Sequence, residues 1–135
     1  MGFINLTTGT YYVGHKHLPT DIEVSDRPSI NYFYQDGIWV LNIQKEQEEK
    51  SQILRQISTD LIYEKAPVFK QNNAALGILS EEEVLVIKNW IIAVRQSVNE
   101  LLIDINNSKT EQELELIIFD YDSIKSKTEE LFNTL

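Results

Sequence analysis

Two rhythms of apolar residues divide the chain near Leu41. Before it, they fall in short runs punctuated by Gly9, Gly14, Pro19, Pro28 and Gly37; beyond it, they recur every three or four residues. From residue 43 to 66 a polar start, "QKEQEEKSQ", gives way to Ile53, Leu54, Ile57, Leu61 and Ile62. This predicts a helix that Pro67 ends, because the residue before a proline avoids helical geometry. Its first two turns lack an apolar face, so they stand in solvent or meet something polar. The stretch 69–78, "FKQNNAALGI", reads as a connecting loop. Ser80 then stands three residues before Glu83, the spacing of a capping box, and a heptad seam follows: Val84, Ile87, Ile91, Val94, Val98, Leu101 and Ile105. Thr110 and Glu113 repeat the box. A second seam runs Leu114, Ile117, Tyr121, Ile124, Thr128, Leu131 and Leu135. Helices over 80–105 and 110–135, of matched length and joined by "NNSK", predict an antiparallel helical hairpin.

Residues 1–42 read as a small β-rich region. In "NYFYQDGIWVLN", Asp36-Gly37 marks a type I′ turn between two β-prone runs, and "TTGTYYVGHKHLPTDIEV" supplies short strands upstream. The fold class expected is therefore α+β, with this region ahead of a helical region spanning 43–135. Two outcomes stay open for the helices. Ile87, Trp90, Ile91, Val94, Val98, Leu101, Leu114, Ile117, Tyr121, Ile124 and Leu131 either close a bundle core with helix 43–66 or contribute to a homodimer through helices 80–135. Leu85, Ile92, Leu102, Ile118 and Phe132 lie off the seams and offer spare apolar surface for a second copy.

Composition narrows the function. The formal net charge is −9, with two basic and four acidic side chains in 1–40 and ten and seventeen in 41–135. No basic cluster exists to meet phosphates, so nucleic acid is not an expected partner. Absence of cysteine removes disulfides and thiolate metal sites. The opening "MGFINLTTGT" has no basic segment ahead of an apolar one, so no signal peptide is expected, and no apolar run suggests membrane insertion.

The search for catalytic chemistry finds little. His15 and His17, two apart, read as exposed residues on one face of a strand. Asp21 or Glu23 could join them around a metal, but no motif requires it. No G-x-S-x-G, GxGxxG or P-loop occurs. Glu81, Glu82 and Glu83 suit the positive end of a helix dipole, and Glu46 and Lys50 form an i,i+4 pair. No catalytic residue, metal or cofactor is expected. The crowded aromatics remain: Tyr11, Tyr12, Tyr32, Tyr34 and Trp39 either pack under the helices or form a contact face. Tyr32 and Tyr34 share one side of a strand and Phe33 takes the other.

The order of segments resembles the phage tail fibre assembly proteins. "TGTYYVGHKHLPTDIEVSD" (8–26) is similar to that family's opening. Residues 61–101 match its later part: an apolar helix end, Leu76-Gly77, Ser80 to Glu83, then Trp90. Arg95 keeps a basic residue after the tryptophan, the family's tyrosine is absent, and the last thirty residues form a helix where relatives carry a short tail. The resemblance implies a non-enzymatic chaperone that binds the C-terminal tip of a trimeric fibre and promotes its folding or trimerisation. Such a protein works in the cytoplasm of the infected or lysogenic host, and some stay on the virion at the fibre tip. Tyr11, Tyr12, Tyr32, Tyr34 and Trp39 are then the partner-contact residues. Two alternatives fit the same residues: a small acidic immunity or antitoxin protein that inhibits a basic toxin, and a glycan-binding tip module.

Overall fold

Five short strands precede the helices in the computed structural model, which describes residues 2–135 and divides into two compact units, Met1–Glu46 and Gln47–Leu135. In the first unit β1 (Gly2–Ile4) lies between β2 (Tyr11–Val13) and β3 (Ile22–Val24), antiparallel to both. The sequence reading had no β1, because three residues carry too little alternation to register. Yet β1 is the buried centre of its sheet. A separate hairpin pairs β4 (Tyr32–Gln35) with β5 (Ile38–Leu41). Its turn is the predicted one: Asp36 and Gly37 adopt φ of +52° and +83°, as a type I′ turn requires. Residues 14–20 form turns rather than strand, so His15 and His17 are exposed but do not share a strand face.

The helical unit holds most of α1 (Ile43–Lys65), followed by α2 (Val68–Ala75), α3 (Glu81–Asn107), α4 (Glu111–Glu115) and α5 (Tyr121–Asn133). Two expectations need correction. The predicted loop at 69–78 is largely α2. Pro67 ends α1, but its φ of −61° also suits the N-cap of a new helix, and Gly77 closes that helix at φ +72°. There Ile78 N–H reaches Asn73 O at 3.0 Å and Gly77 N–H reaches Ala74 O at 3.1 Å, the paired bonds of a Schellman motif.

The predicted helix over 110–135 is interrupted at 116–120. Asp120 is an N-cap: its Oδ1 accepts from Ser123 N–H at 2.7 Å, and Ser123 Oγ returns a bond to Asp120 N–H. That capping box restarts the helix, while the β-branched pair Ile117-Ile118 does not favour continuing α4. The matched lengths fail accordingly, since α3 has 27 residues and α5 has 13. The caps at Ser80 and Thr110 form, each oxygen accepting from the backbone N–H of Glu83 or Glu113. Glu113, however, turns its carboxylate to Lys109 N–H.

Contacts between the helices fix their directions. Trp90 on α3 meets Phe132 on α5, Ser97 meets Thr128, and Glu100 meets Lys127, so α3 and α5 are antiparallel. Trp90 Nε1 donates to Leu61 O at 2.6 Å, while Gln47 Nε2 donates to Ser108 O at 2.6 Å, which makes α1 antiparallel to α3 as well. The polar start of α1 thus meets something polar. Lys50 Nζ donates to Leu114 O at 2.5 Å rather than pairing with Glu46, whose carboxylate accepts from Asn31 Nδ2.

The result is an up-down-up three-helix bundle with α2 against α3. Ile87, Trp90, Val94, Val98, Leu114 and Ile124 are buried; Ile91, Leu101, Ile117, Tyr121 and Leu131 are half-buried. Leu135, read as the end of the second seam, is 54% exposed. Phe132 is not spare surface: its ring meets Trp90 edge-on at 5.5 Å, and the Lys65 ammonium lies 5.2 Å and 5.5 Å from the two ring centres.

One α1–α5 contact makes stability pH-dependent at both ends. Tyr121 OH donates to Glu64 Oε1, which also receives Lys125 Nζ at 3.1 Å. The hydrogen bond from Tyr121 holds the Glu64 carboxyl below its ordinary value, and in turn pushes the Tyr121 phenol up to about 12. A raised phenol pKa contributes stability that is complete below pH 10 and lost as pH climbs from there toward 12. A depressed carboxyl pKa contributes stability present above the ordinary glutamate range and lost on acidification through the native value. Denaturant midpoints across pH are expected to fall at both extremes, and Tyr121→Phe is expected to flatten the alkaline fall. An unchanged alkaline limb in that variant would mean the contact contributes nothing.

Candidate functional site

Tyr11 and Tyr12 are neighbours on β2, so their side chains leave opposite faces of the sheet. That parity separates the five aromatic candidates. On one face Tyr11 meets Trp39 edge-on at 5.2 Å, and Trp39 meets its cross-strand partner Tyr34 edge-on at 5.3 Å. Tyr32 lies two residues from Tyr34 on the same side of β4. These four rings, with Phe33, Ile4, Gly9 and Thr10, line a cleft of about 310 Å³.

Arg27 completes it. The guanidinium sits 5.0 Å over the Tyr11 ring, and Arg27 N–H donates to the Tyr11 hydroxyl at 3.4 Å. Trp39 is held in place, since Nε1 donates to Ser25 O at 3.0 Å and lies 3.2 Å from Ser25 Oγ. Tyr11 is constrained from behind by Gly2. A Cβ at that position would stand 2.1 Å from the ring, so only glycine lets the tyrosine lie across β1.

Tyr12 belongs elsewhere. Its ring stacks on Phe3 at 5.5 Å and on His17 at 4.0 Å. Its hydroxyl accepts from His17 N–H at 2.8 Å and donates to Asp21 Oδ2, which also accepts from Leu18 N–H at 3.0 Å. Desolvation, reinforced by the bond to Asp21, raises the Tyr12 pKa. Tyr12 therefore organises the 14–21 turn and is not part of the cleft. Asp21 is 2% exposed, with Oδ1 unpaired, and serves that turn.

No family model, curated protein or solved structure matches this chain.

The chemistry available here is recognition. Aromatic faces, tyrosine hydroxyls and one guanidinium, which has no carboxylate partner among the described residues, suit a surface that grips side chains or sugar rings. Among the described residues no group of three or more His, Cys, Asp or Glu side chains is gathered about a metal position. No helix is long and apolar enough to cross a membrane. Phe33 also borders the cleft and is exposed, as is Ile38, which pairs with Gln35 at the turn end of the hairpin. Sequence reasoning missed Arg27. Its only signal was that Lys16 and Arg27 are the two basic residues in 1–40, and Arg27 sits amid aromatic runs.

Proposed function

We propose that the chain is a non-enzymatic assembly chaperone of a trimeric phage tail fibre, as its resemblance in sequence implies, and that the N-terminal unit engages the fibre tip. One observation supports this reading above the rest: the aromatic cleft lies in a unit whose strands β2, β3, β4 and β5 each pair on one side only. Open strand edges accept a further strand, and Val13, Leu18, Ile30 and Ile38 expose apolar side chains around them. A fibre tip that must assemble non-local β structure exposes strand edges while it folds, which is slow and prone to aggregation. A short-lived cap on those edges raises the yield of trimer, and the protein either leaves afterwards or remains at the tip of the virion.

The test is co-expression with the C-terminal fragment of the fibre from the same genome, followed by size exclusion with light scattering. The expected result is a soluble, trimeric fragment only when this chain is present. A fragment that trimerises equally well alone removes the proposal.

The same cleft favours a second reading, a sugar-binding tip module, because stacked aromatics and a guanidinium also suit saccharides. Quenching of tryptophan fluorescence by a host glycan, in the absence of any fibre, would favour it.

A further inference from the structure

The helical unit carries two surfaces of opposite character, neither used by the reading above. Between α2 and α3 runs a groove of about 420 Å³, floored by Ala74, Val84, Ile91 and Ile92 and rimmed by Lys88 and Arg95. Its volume falls in the roughly 300–1,000 Å³ range of binding clefts. Lys88 and Arg95 lie seven residues apart on one stripe of α3, both exposed, and among the described residues neither is in an ion pair. On a chain with net charge −9 this is an apolar strip with an uncompensated positive rim.

The complementary surface is the break between α4 and α5. There Leu116 is 80% exposed and Ile118 is 85% exposed, the highest values among the large exposed apolar residues. The segment 117–120 is irregular, so Leu116 and Ile118, two apart, can enter one groove together. Glu115 precedes them; Asp120 and Asp122 follow.

We propose that segment 115–120 of one copy of this chain seats Leu116 and Ile118 in the α2–α3 groove of a second copy, head to tail. Charge selects this arrangement. Groove against groove sets Lys88 and Arg95 against their own copies, and segment against segment sets carboxylates against carboxylates, relieved in part by Lys50 beside Phe119; groove against segment pairs opposite signs most fully. Because the two surfaces differ, the contact is heterologous, and it closes into a ring or continues as a chain. Burial of the two aliphatic side chains supplies attraction, and the rim fixes direction.

The test uses the full chain and two surface variants, Lys88→Glu with Arg95→Glu, and Leu116→Ser with Ile118→Ser. All four side chains are exposed, so the fold is retained, as circular dichroism checks. Mass is measured by sedimentation equilibrium over a concentration series. The unaltered chain is expected to gain mass with concentration and to lose that gain in high salt. Each variant alone is expected to stay monomeric. An equimolar mixture is expected to form a one-to-one dimer and nothing larger, since it holds a single intact groove–segment pair. A monomeric wild type overturns the proposal, as do variants that assemble like the wild type or a mixture that stays monomeric.

Discussion

Trp90→Ala is expected to lower the unfolding free energy of the helical unit by about 3–5 kcal/mol, the usual loss for truncating a buried large aromatic. Trp90 is fully buried and serves all three long helices at once. It packs on Phe132 of α5, takes the Lys65 ammonium against its face, and donates to Leu61 O of α1. Truncation also removes the indole N–H bond to Leu61 O, a loss of about 0.5–1.5 kcal/mol. Since whole domains are stable by only about 5–15 kcal/mol, the bundle should be largely unfolded at modest denaturant. Urea titration followed by far-ultraviolet circular dichroism measures it. Trp90→Phe separates the two contributions, keeping the ring and losing the N–H. A loss below about 1 kcal/mol for Trp90→Ala would show that the bundle does not depend on this side chain.

Trp39→Ala is expected to weaken binding to the fibre-tip fragment by at least 30-fold, on the order of the 2 kcal/mol that defines a hot spot. Trp39 touches both Tyr11 and Tyr34 and is tied to Ser25, so its removal leaves the cleft without its central wall. Gln35→Ala, an exposed change on β4, is the control and should bind normally. Titration calorimetry with the purified fragment reads both. Equal affinities for the two variants would place the fibre contact elsewhere on the unit.

How far these sites were legible in the chain depends on how local their signals are. The Asp36-Gly37 turn and the Ser80 cap are set by residues within a few positions of each other, and both were readable. The α3 stripe was readable too, because 27 consecutive helical residues repeat the pattern many times. The break at 116–120 was hidden by an accident of spacing. Leu114, Ile117, Tyr121 and Ile124 keep a heptad rhythm across a segment that is not helical, which masks the cap at Asp120-x-x-Ser123. In the cleft, four aromatics could be named in advance, but their grouping depends on Tyr11 of one sheet packing against Trp39 of the other. Tyr12 falls outside the cleft because alternation along β2 sends it to the other face. Arg27 reaches a ring sixteen residues earlier, and no local pattern announces such a contact.

The meeting of Ser97 with Thr128 at 2.7 Å, in the buried heart of the bundle, has a mechanical meaning. Two small side chains let α3 and α5 approach closely at that level, while Trp90 and Phe132 hold a bulky layer beside it. A shift of one helix turn would press a ring against a hydroxyl layer and open a void where the ring had been, and both changes cost stability. The two helices therefore mesh at one tooth, and the helical unit acts as a strut rather than a piston. Whatever the aromatic cleft grips, α3 and α5 cannot answer by sliding past each other, so no message travels along them by that route.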